Sequence, residues 1–427
     1  MKAVDPYRCV RSQLRISGNQ LIIKDLAVSL PQFKRIMLLA IGKASVPMLR
    51  ATLKTLRGSD VYGALIAPKG RVGLPPHERV EVFHGGHPVP DRQGWVAAQH
   101  VTSAVSRMQK DELLICLISG GASAMLADPA EGISLADIRI LTNQLVKSGA
   151  TIHNINTVRR HTSKLKGGRL VELCGASKIL SLIISDVPGN PLHDIASGLT
   201  AEDPTTFKDA IGILRAHNLW DTIPSSIRKH LSKGALGDLP ETPKQGNSSF
   251  ENAHNMIIAD NGTACIAAQQ FLAKKLRCRI LSSSVEMDTR SMGRFLAALA
   301  NERKEHNERV RSPGAIVVGG ETTVGVKGRG IGGRNQETAL WAINYLTELE
   351  GVAIATFGTD GIDGNSPAAG ALIDGNTKNR AILKKIDPDR FLESNDSYRF
   401  FRRLRDNILT GPTGTNVGDL NIMITLD

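Results

Sequence analysis

An α/β fold in two domains, with largely parallel sheets, is the class this 427-residue sequence predicts. Three observations carry that expectation. Apolar runs bounded by glycine recur along the chain, stretches of amphipathic helical spacing separate them, and polar glycine-rich segments follow the apolar runs. Ligands of open α/β sheets gather outside the carboxyl ends of the strands, so a glycine-rich segment at such an end marks a candidate site.

Strands are expected at 35–41, 63–67, 113–117, 179–185, 255–258, 279–282, 314–318 and 352–357, where the side chains are β-branched or otherwise apolar. Helical spacing predicts helices at 44–57, 91–109, 134–147, 155–173, 261–276, 288–306 and 335–349. The stretch 236–251 (LGDLPETPKQGNSSFE) is rich in Pro, Gly, Asn and Ser and is the best linker candidate.

The bulk numbers bound the function. Apolar residues make up 41% and charged ones 22%, ordinary for a soluble globular protein, and no apolar run nears the roughly 18 residues of a membrane span. The basic N-terminus lacks a following apolar stretch, so it does not read as a secretory signal. Five scattered cysteines without a CxxC suggest neither a disulfide framework nor a zinc knuckle. A cytoplasmic protein without a membrane partner is expected. The formal charge of +12 admits a nucleic-acid partner, but aromatics are only 4% and the one dense basic block is 159–169 (RRHTSKLKGGR). A positive cleft for a small anionic substrate accounts for the charge equally well.

Residues 319–337 read GGETTVGVKGRGIGGRNQE, with seven glycines in the first fifteen positions. Such a loop at a helix start favours main-chain N–H groups approaching a phosphate, and Arg334 adds a fixed cation there. Gly328, Gly330 and Gly333 also satisfy G-x-G-x-x-G, but the first strand of a βαβ unit and a strand-end acidic residue are missing, so NAD does not follow. Gly42, Lys43, Ala44 and Ser45 end the strand at 35–41. The order matches the tail of a phosphate loop, but Met37 stands where the first glycine belongs, so this is not a Walker A motif. Lys43 still offers an ammonium at a helix start.

Ser119, Gly120, Gly121 and Ser123 follow another strand, and their small side chains suit converging amides; no G-x-S-x-G elbow is present. Ser185 and Asp186 end the strand at 179–185, with His193, Asp194, Ser197 and Asp203 following. Asp186 suits hydroxyl positioning or a hydrated Mg²⁺. Asp360 and Asp363, three apart in a glycine loop, suit Mg²⁺ or a sugar hydroxyl better than an EF-hand. The last small-residue loop is GPTGTNVGDL (411–420). His153 and His161 lie two helical turns apart, about 12 Å by helix rise, and cannot share an ion; His84 and His87 read as structural.

In order, GKAS, SGGASAML, GATIHNINTVRRHTSKLKGGRL, SDVPGN…IASGL…DP, GGETTV…GGRNQE, GTDGIDG…AAGA and GPTGTNVGDL resemble the glycerate 2-kinase family, from about residue 35 to the C-terminus. The resemblance implies an N-terminal Rossmann-like α/β/α sandwich (1–240) and a C-terminal α/β domain containing the MOFRL region (251–427), with the active site in the cleft between them. It implies transfer of the γ-phosphoryl of ATP to the 2-hydroxyl of D-glycerate with Mg²⁺ or another divalent cation. By position it makes Lys43 and Arg334 catalytic, joined here by Asp186. Nucleotide-holding candidates are Ser119, Gly120, Gly121, Ser123, Gly319, Gly320, Glu321, Lys166 and Asn335, and metal candidates are Asp186 and Asp360. Arg159, Lys164 and Arg169 are further anion-binding candidates. Asn190 stands where the family's turn usually carries Asp, which removes a charge. D-glycerate is the expected partner, no nucleic acid or membrane is expected, and monomer or homodimer stays open. The rivals are an NAD(P)H-dependent hydroxypyruvate reductase and a basic nucleic-acid-binding protein.

Overall fold

Two six-stranded sheets dominate the computed structural model, which describes residues 1–70, 78–305, 314–346 and 349–426. Positions 306 and 347–348, at the ends of two expected helices, lie outside the described residues. The chain divides into two compact units: Pro6–Ser185 with Asn190–Ile258, and Met1–Asp5 with Asp186–Gly189 and Ala259–Asp427.

The first sheet places its strands in the order Val80–Gly85, Val61–Pro68, Arg35–Ile41, Glu112–Ile118, Lys178–Ile184 and Ala253–Ala259. Numbered along the chain this is 3-2-1-4-5-6, the order of a Rossmann sheet. The first four neighbouring pairs run parallel. Glu112–Ile118 is buried at every position, and Arg35–Ile41 at all but the first. Burial on both faces is why these strands read as unbroken apolar runs rather than alternating ones. The chain order reverses between Arg35–Ile41 and Glu112–Ile118, and that switch point is where a crevice opens above such a sheet.

The strand Val80–Gly85, unexpected from sequence, has an interrupted burial pattern that masks it. The small antiparallel sheet Leu14–Ser17, Gln20–Ile23 and Leu26–Ser29 also escaped expectation. The predicted helix over 155–173 divides into Ile152–Arg160 and Arg169–Leu173, separated by Gly167 and Gly168, both left-handed. The stretch 236–251 is not a loose linker. Thr242 is buried and donates to Asp203 (3.0 Å), while Glu241 meets His161 (2.9 Å) and caps Phe207 N–H (3.0 Å).

The second sheet runs Arg277–Asp288, Gly314–Thr323, Asp419–Thr425, Val352–Gly358, Gly370–Asp374 and Asn407–Ile408. Here the expectation of largely parallel pairing fails. The first pair alone is parallel among the described residues: the last long strand, Asp419–Thr425, inserts antiparallel between two others, and the two pairs beyond are antiparallel as well. The insertion sets Asp419 opposite Gly320 on one side and Gly358 on the other. Helices Thr289–Glu305 and Arg334–Tyr345 join a core that contains the fully buried Phe400 and Phe401. Among the described residues no helix is long and apolar enough to cross a membrane.

Candidate active site

At the switch point of the first sheet the two strand-end loops lock together. Lys43 N–H donates to Gly120 O (2.9 Å), Ala44 N–H to Ser119 Oγ (3.0 Å), and Ser119 N–H to Ile41 O (3.0 Å). Gly42 makes this possible. Its φ is +115°, and a Cβ there would lie 2.3 Å from Ser119 O. The Ser119 hydroxyl is therefore consumed in joining the loops, and its side chain is buried. The amides of Gly120, Gly121 and Ser123 have no internal acceptor among the described residues, so three donors are left for a ligand. Gly121 is left-handed (φ +86°) and lies against His87 and Met125. Ser123 Oγ is 2.6 Å from Ser197 Oγ.

Beside this junction lies a cavity of about 480 Å³, lined by Lys43, Lys69, His87, Asp91, Met125 and Arg139 among others. That volume falls within the roughly 300–1,000 Å³ of small-molecule sites. Three cations line it, together with Asp91, which is bonded to Lys69 (2.8 Å) and to the helix-start amide of Gly94 (2.9 Å). Partial burial of His87, then the charges of Lys43 and Arg159, hold its imidazole well below the usual histidine range, so it is neutral at pH 7. Sequence reasoning set His87 aside as structural. Its only signal was Gly85-Gly86 at the end of a strand that went unrecognised.

The basic block 159–169 is largely interior. Arg160 is 0% exposed and Lys166 4%. Lys166 Nζ donates to Leu126 O (2.6 Å) and borders a void of only about 20 Å³, room for a water and not a nucleotide. Burial, with Arg159 adding and Asp128 opposing, lowers the Lys166 pKa to about 7. Burial alone lowers Arg159 to about 10. Lys164 is exposed and Arg169 half-buried.

In the other unit Arg334 begins its helix and is gripped by two carboxylates. Its Nε and Nη2 reach Asp419 (2.7 and 3.1 Å), and its Nη1 pairs with Glu321. Burial works to lower the Arg334 pKa, but Asp419 and then Glu321 outweigh it, so the guanidinium is held above its ordinary value. Burial raises the Glu321 carboxyl to about 7, with Arg334 opposing and Asp186 and Asp419 adding. Asn335 is buried and spans Asp363 (3.2 Å) and Asp419 (3.0 Å) with its side-chain amide. Asp186 accepts from Asn416 (3.2 Å), and Asp360 accepts from Ile362 N–H (3.1 Å) in a tight turn.

The long glycine loop departs from expectation. The helix-start amides of Asn335 and Gln336 donate to the buried Asp363 (3.0 and 2.8 Å), so a resident carboxylate takes the place foreseen for a phosphate. Lys327 and Gly328 donate to Asn395, Gly330 to Ser394 O, Ile331 to Asp396 and Gly332 to Asn365. A Cβ at Gly328, Gly330, Gly332 or Gly333 would lie within 2.6 Å of residues 394–397 or of Asp363. These glycines serve backbone-to-backbone packing. Gly319 and Gly320 likewise stand in sheet register, with Asn261 and Val285 where a Cβ would be. Asp363 is thus a cap and not a partner of Asp360 in a shared site.

Comparison with known proteins agrees with this architecture. The model of a domain of unknown function, DUF4147, matches residues 1–232, and that of the MOFRL family matches residues 314–419. The glycerate 2-kinase of Pyrococcus horikoshii is 38% identical over 99% of this chain and 94% of its own length. The D-glycerate 2-kinase of Thermotoga maritima is 37% identical over 91% of this chain and 90% of its own. A crystal structure of the Thermotoga maritima glycerate kinase superposes with a TM-score of 0.83 at 35% identity, covering 100% of this chain and 96% of that one. With two family models in sequence order and full-length kinship at this level, the chain belongs to the glycerate 2-kinase family, built of a DUF4147 domain followed by a MOFRL domain.

Proposed function

We propose that the protein transfers the γ-phosphoryl group of ATP to the 2-hydroxyl of D-glycerate, giving 2-phosphoglycerate and ADP, with Mg²⁺ as the divalent cation, in the cytoplasm. The observation that carries this reading is the cationic cavity at the Rossmann switch point, next to three amides without acceptors among the described residues. Phosphoryl transfer through a loose transition state needs charge neutralisation and positioning more than covalent chemistry. In the first unit Lys43, Lys69 and Arg139 supply the charge, and Gly120, Gly121 and Ser123 supply fixed main-chain donors. Lys166 is a structural cation on this reading.

In the second unit Arg334 is the cation for the transferring group, oriented by Asp419 and Asn335. Glu321 accepts the proton of the glycerate hydroxyl. Asp419 and Asp363 are committed to buried hydrogen bonds, whereas the Glu321 side chain keeps about a third of its surface exposed (36%) and burial of the rest raises its pKa to about 7, where a general base is most effective. Asp186 and Asp360 are the candidates for a hard cation, whose bound charge would neutralise the phosphate oxygens. Carboxylates do gather near Glu321: Asp186 and Asp419 both push its carboxyl upward, against the charge of Arg334.

The reductase rival loses its motif, because Gly328, Gly330 and Gly333 pack against backbone and the following helix start is capped by Asp363. The nucleic-acid rival loses its basic block, much of which is interior. ³¹P NMR of products from ATP, Mg²⁺ and D-glycerate tests the reading. A 2-phosphoglycerate signal is expected; 3-phosphoglycerate would overturn the regiochemistry, and NADH consumption with hydroxypyruvate at catalytic rates would overturn the kinase itself.

A further inference from the structure

The phosphotransfer reading leaves unused a cluster that the sequence offered only in pieces. His153 begins the helix Ile152–Arg160, while His193 and Asp194 lie in the turn before the short helix Ile195–Ser197. We propose that His153, His193 and Asp194 form a binding site for one divalent transition ion of zinc-like chemistry.

One donor atom from each residue lies within 4.8 Å of the others. His153 Nδ1 is 2.8 Å from Asp194 Oδ2, and His193 Nε2 is 3.7 Å from the same oxygen. Ligand atoms about 2.0–2.1 Å from a tetrahedral ion are roughly 3.3 Å from one another, so these two separations bracket the required one. The two rings stand at 76° with centroids 5.7 Å apart, edge to face rather than stacked. Small side-chain rotations suffice to direct all three donors at one point.

The surroundings hold two of the donors in place. Arg160, wholly buried, donates through one nitrogen to His193 O (2.8 Å) and Asp194 Oδ1 (2.9 Å), and Asn156 donates to Asp194 O (3.0 Å). This is the outer support that fixes ligand geometry in metal sites. Arg160 also pairs with Asp203 (2.9 Å), so its charge does not cancel Asp194 alone. The His153 side chain is 51% exposed, which leaves an entry path and a fourth position for water.

Two imidazoles with one carboxylate select Zn²⁺, Co²⁺ or Ni²⁺ over Mg²⁺, which prefers oxygen and retains its water. The site is therefore chemically distinct from the hard cation that accompanies ATP. It also has a route to the first unit's donor loop. Asn156 accepts from Ser197 (2.9 Å), whose hydroxyl is 2.6 Å from that of Ser123. An ion on Asp194 would stiffen that chain.

The test is calorimetric titration of the chelator-treated full chain with ZnCl₂, without nucleotide, and with Co²⁺ as an optical probe. One ion per chain is expected, with the visible absorption of four-coordinate Co²⁺. His193→Ala and His153→Ala should each weaken binding by more than the roughly 10- to 100-fold that loss of an outer partner costs. Half-exposed His153→Gln gives a second variant with little risk to folding, and circular dichroism checks all three. No saturable binding, or binding unchanged in the His153→Ala/His193→Ala double variant, overturns the site. Because ion binding is read directly, its failure leaves the kinase reading intact, and a failed phosphotransfer assay leaves the ion site intact.

Discussion

The loop at 119–123 and the loop at 319–333 share a vocabulary of glycine and small hydroxyl residues at a strand end, yet they use it oppositely. In the first, the amides of Gly120, Gly121 and Ser123 have no acceptor among the described residues, and a cationic cavity adjoins them. In the second, five amides between Lys327 and Gly332 and two at the helix start are satisfied from within the unit. Glycine density therefore marks close approach of backbone to something. Only the hydrogen-bond ledger tells whether that something is a ligand or the protein itself.

The comparison can be broken most directly at its two cations. Lys43→Ala and Arg334→Ala are each expected to lower kcat by roughly 10³-fold or more, in line with charge-neutralising residues of phosphoryl transfer. Arg334→Ala should also lower Tm, since it leaves Asp419 buried without its ion-pair partner. Near-normal turnover in either variant would remove that residue from the mechanism.

Next in size is the proton acceptor. Glu321→Gln should cost about 10²- to 10⁴-fold in kcat. With the carboxyl titrating near 7, kcat/KM of the unmodified enzyme should rise through that pH as Glu321 deprotonates. A rising limb that persists in Glu321→Gln would assign the titration to another group.

The structural side of the contrast predicts stability effects. Asp363→Ala strips four hydrogen bonds from Asn335 and Gln336 and should cost at least about 2 kcal/mol by chemical denaturation. Gly333→Ala places a Cβ 2.4 Å from Asp363 and should cost about 1–3 kcal/mol while changing the KM for ATP little. Gly121→Ala, at φ +86°, should show the reverse emphasis, with about 1 kcal/mol of strain and a raised KM for ATP. Equal KM effects from the two alanines would erase the distinction between the loops.

The smallest effect concerns Lys166. Its folded pKa, about 7, lies below the ordinary lysine value of 10.5, so the unfolded chain binds more protons between those limits. Its contribution to stability should therefore rise with pH from about 7 to 10.5, and Lys166→Met should flatten that part of a denaturation series.

Much of the first unit was legible in the sequence because its chemistry is local. Arg35–Ile41 and Glu112–Ile118 are buried on both faces, so composition alone exposed them, and the glycines that follow mark the ends where ligands bind. Lys43 and Ser119 could be named from four-residue motifs. The second unit was harder to read. Only the first two residues of Asp419–Thr425 fell within an expected feature, the loop at 411–420, and nothing local says that the strand inserts between two others. His87 was hidden behind an unrecognised strand, and the approach of His153 to Asp194 is made across a helix and a strand that intervene in the chain, which no local spacing describes.

The amino-acid pattern alone carried the α/β class, the strands of the Rossmann-ordered sheet other than Val80–Gly85, the positions of the glycine-rich ends and the candidacy of Lys43 and Arg334. Those features depend on burial patterns and backbone freedom within a few residues of one another. The tertiary structure alone decided which amides remain available. The acceptors that close the long loop come from far along the chain: Asn395 reaches Gly328 across 67 residues, and Asp363 reaches Asn335 across 28. A hydrogen-bonding group has short reach in space and no fixed reach in sequence, so occupancy of a donor is a property of the fold.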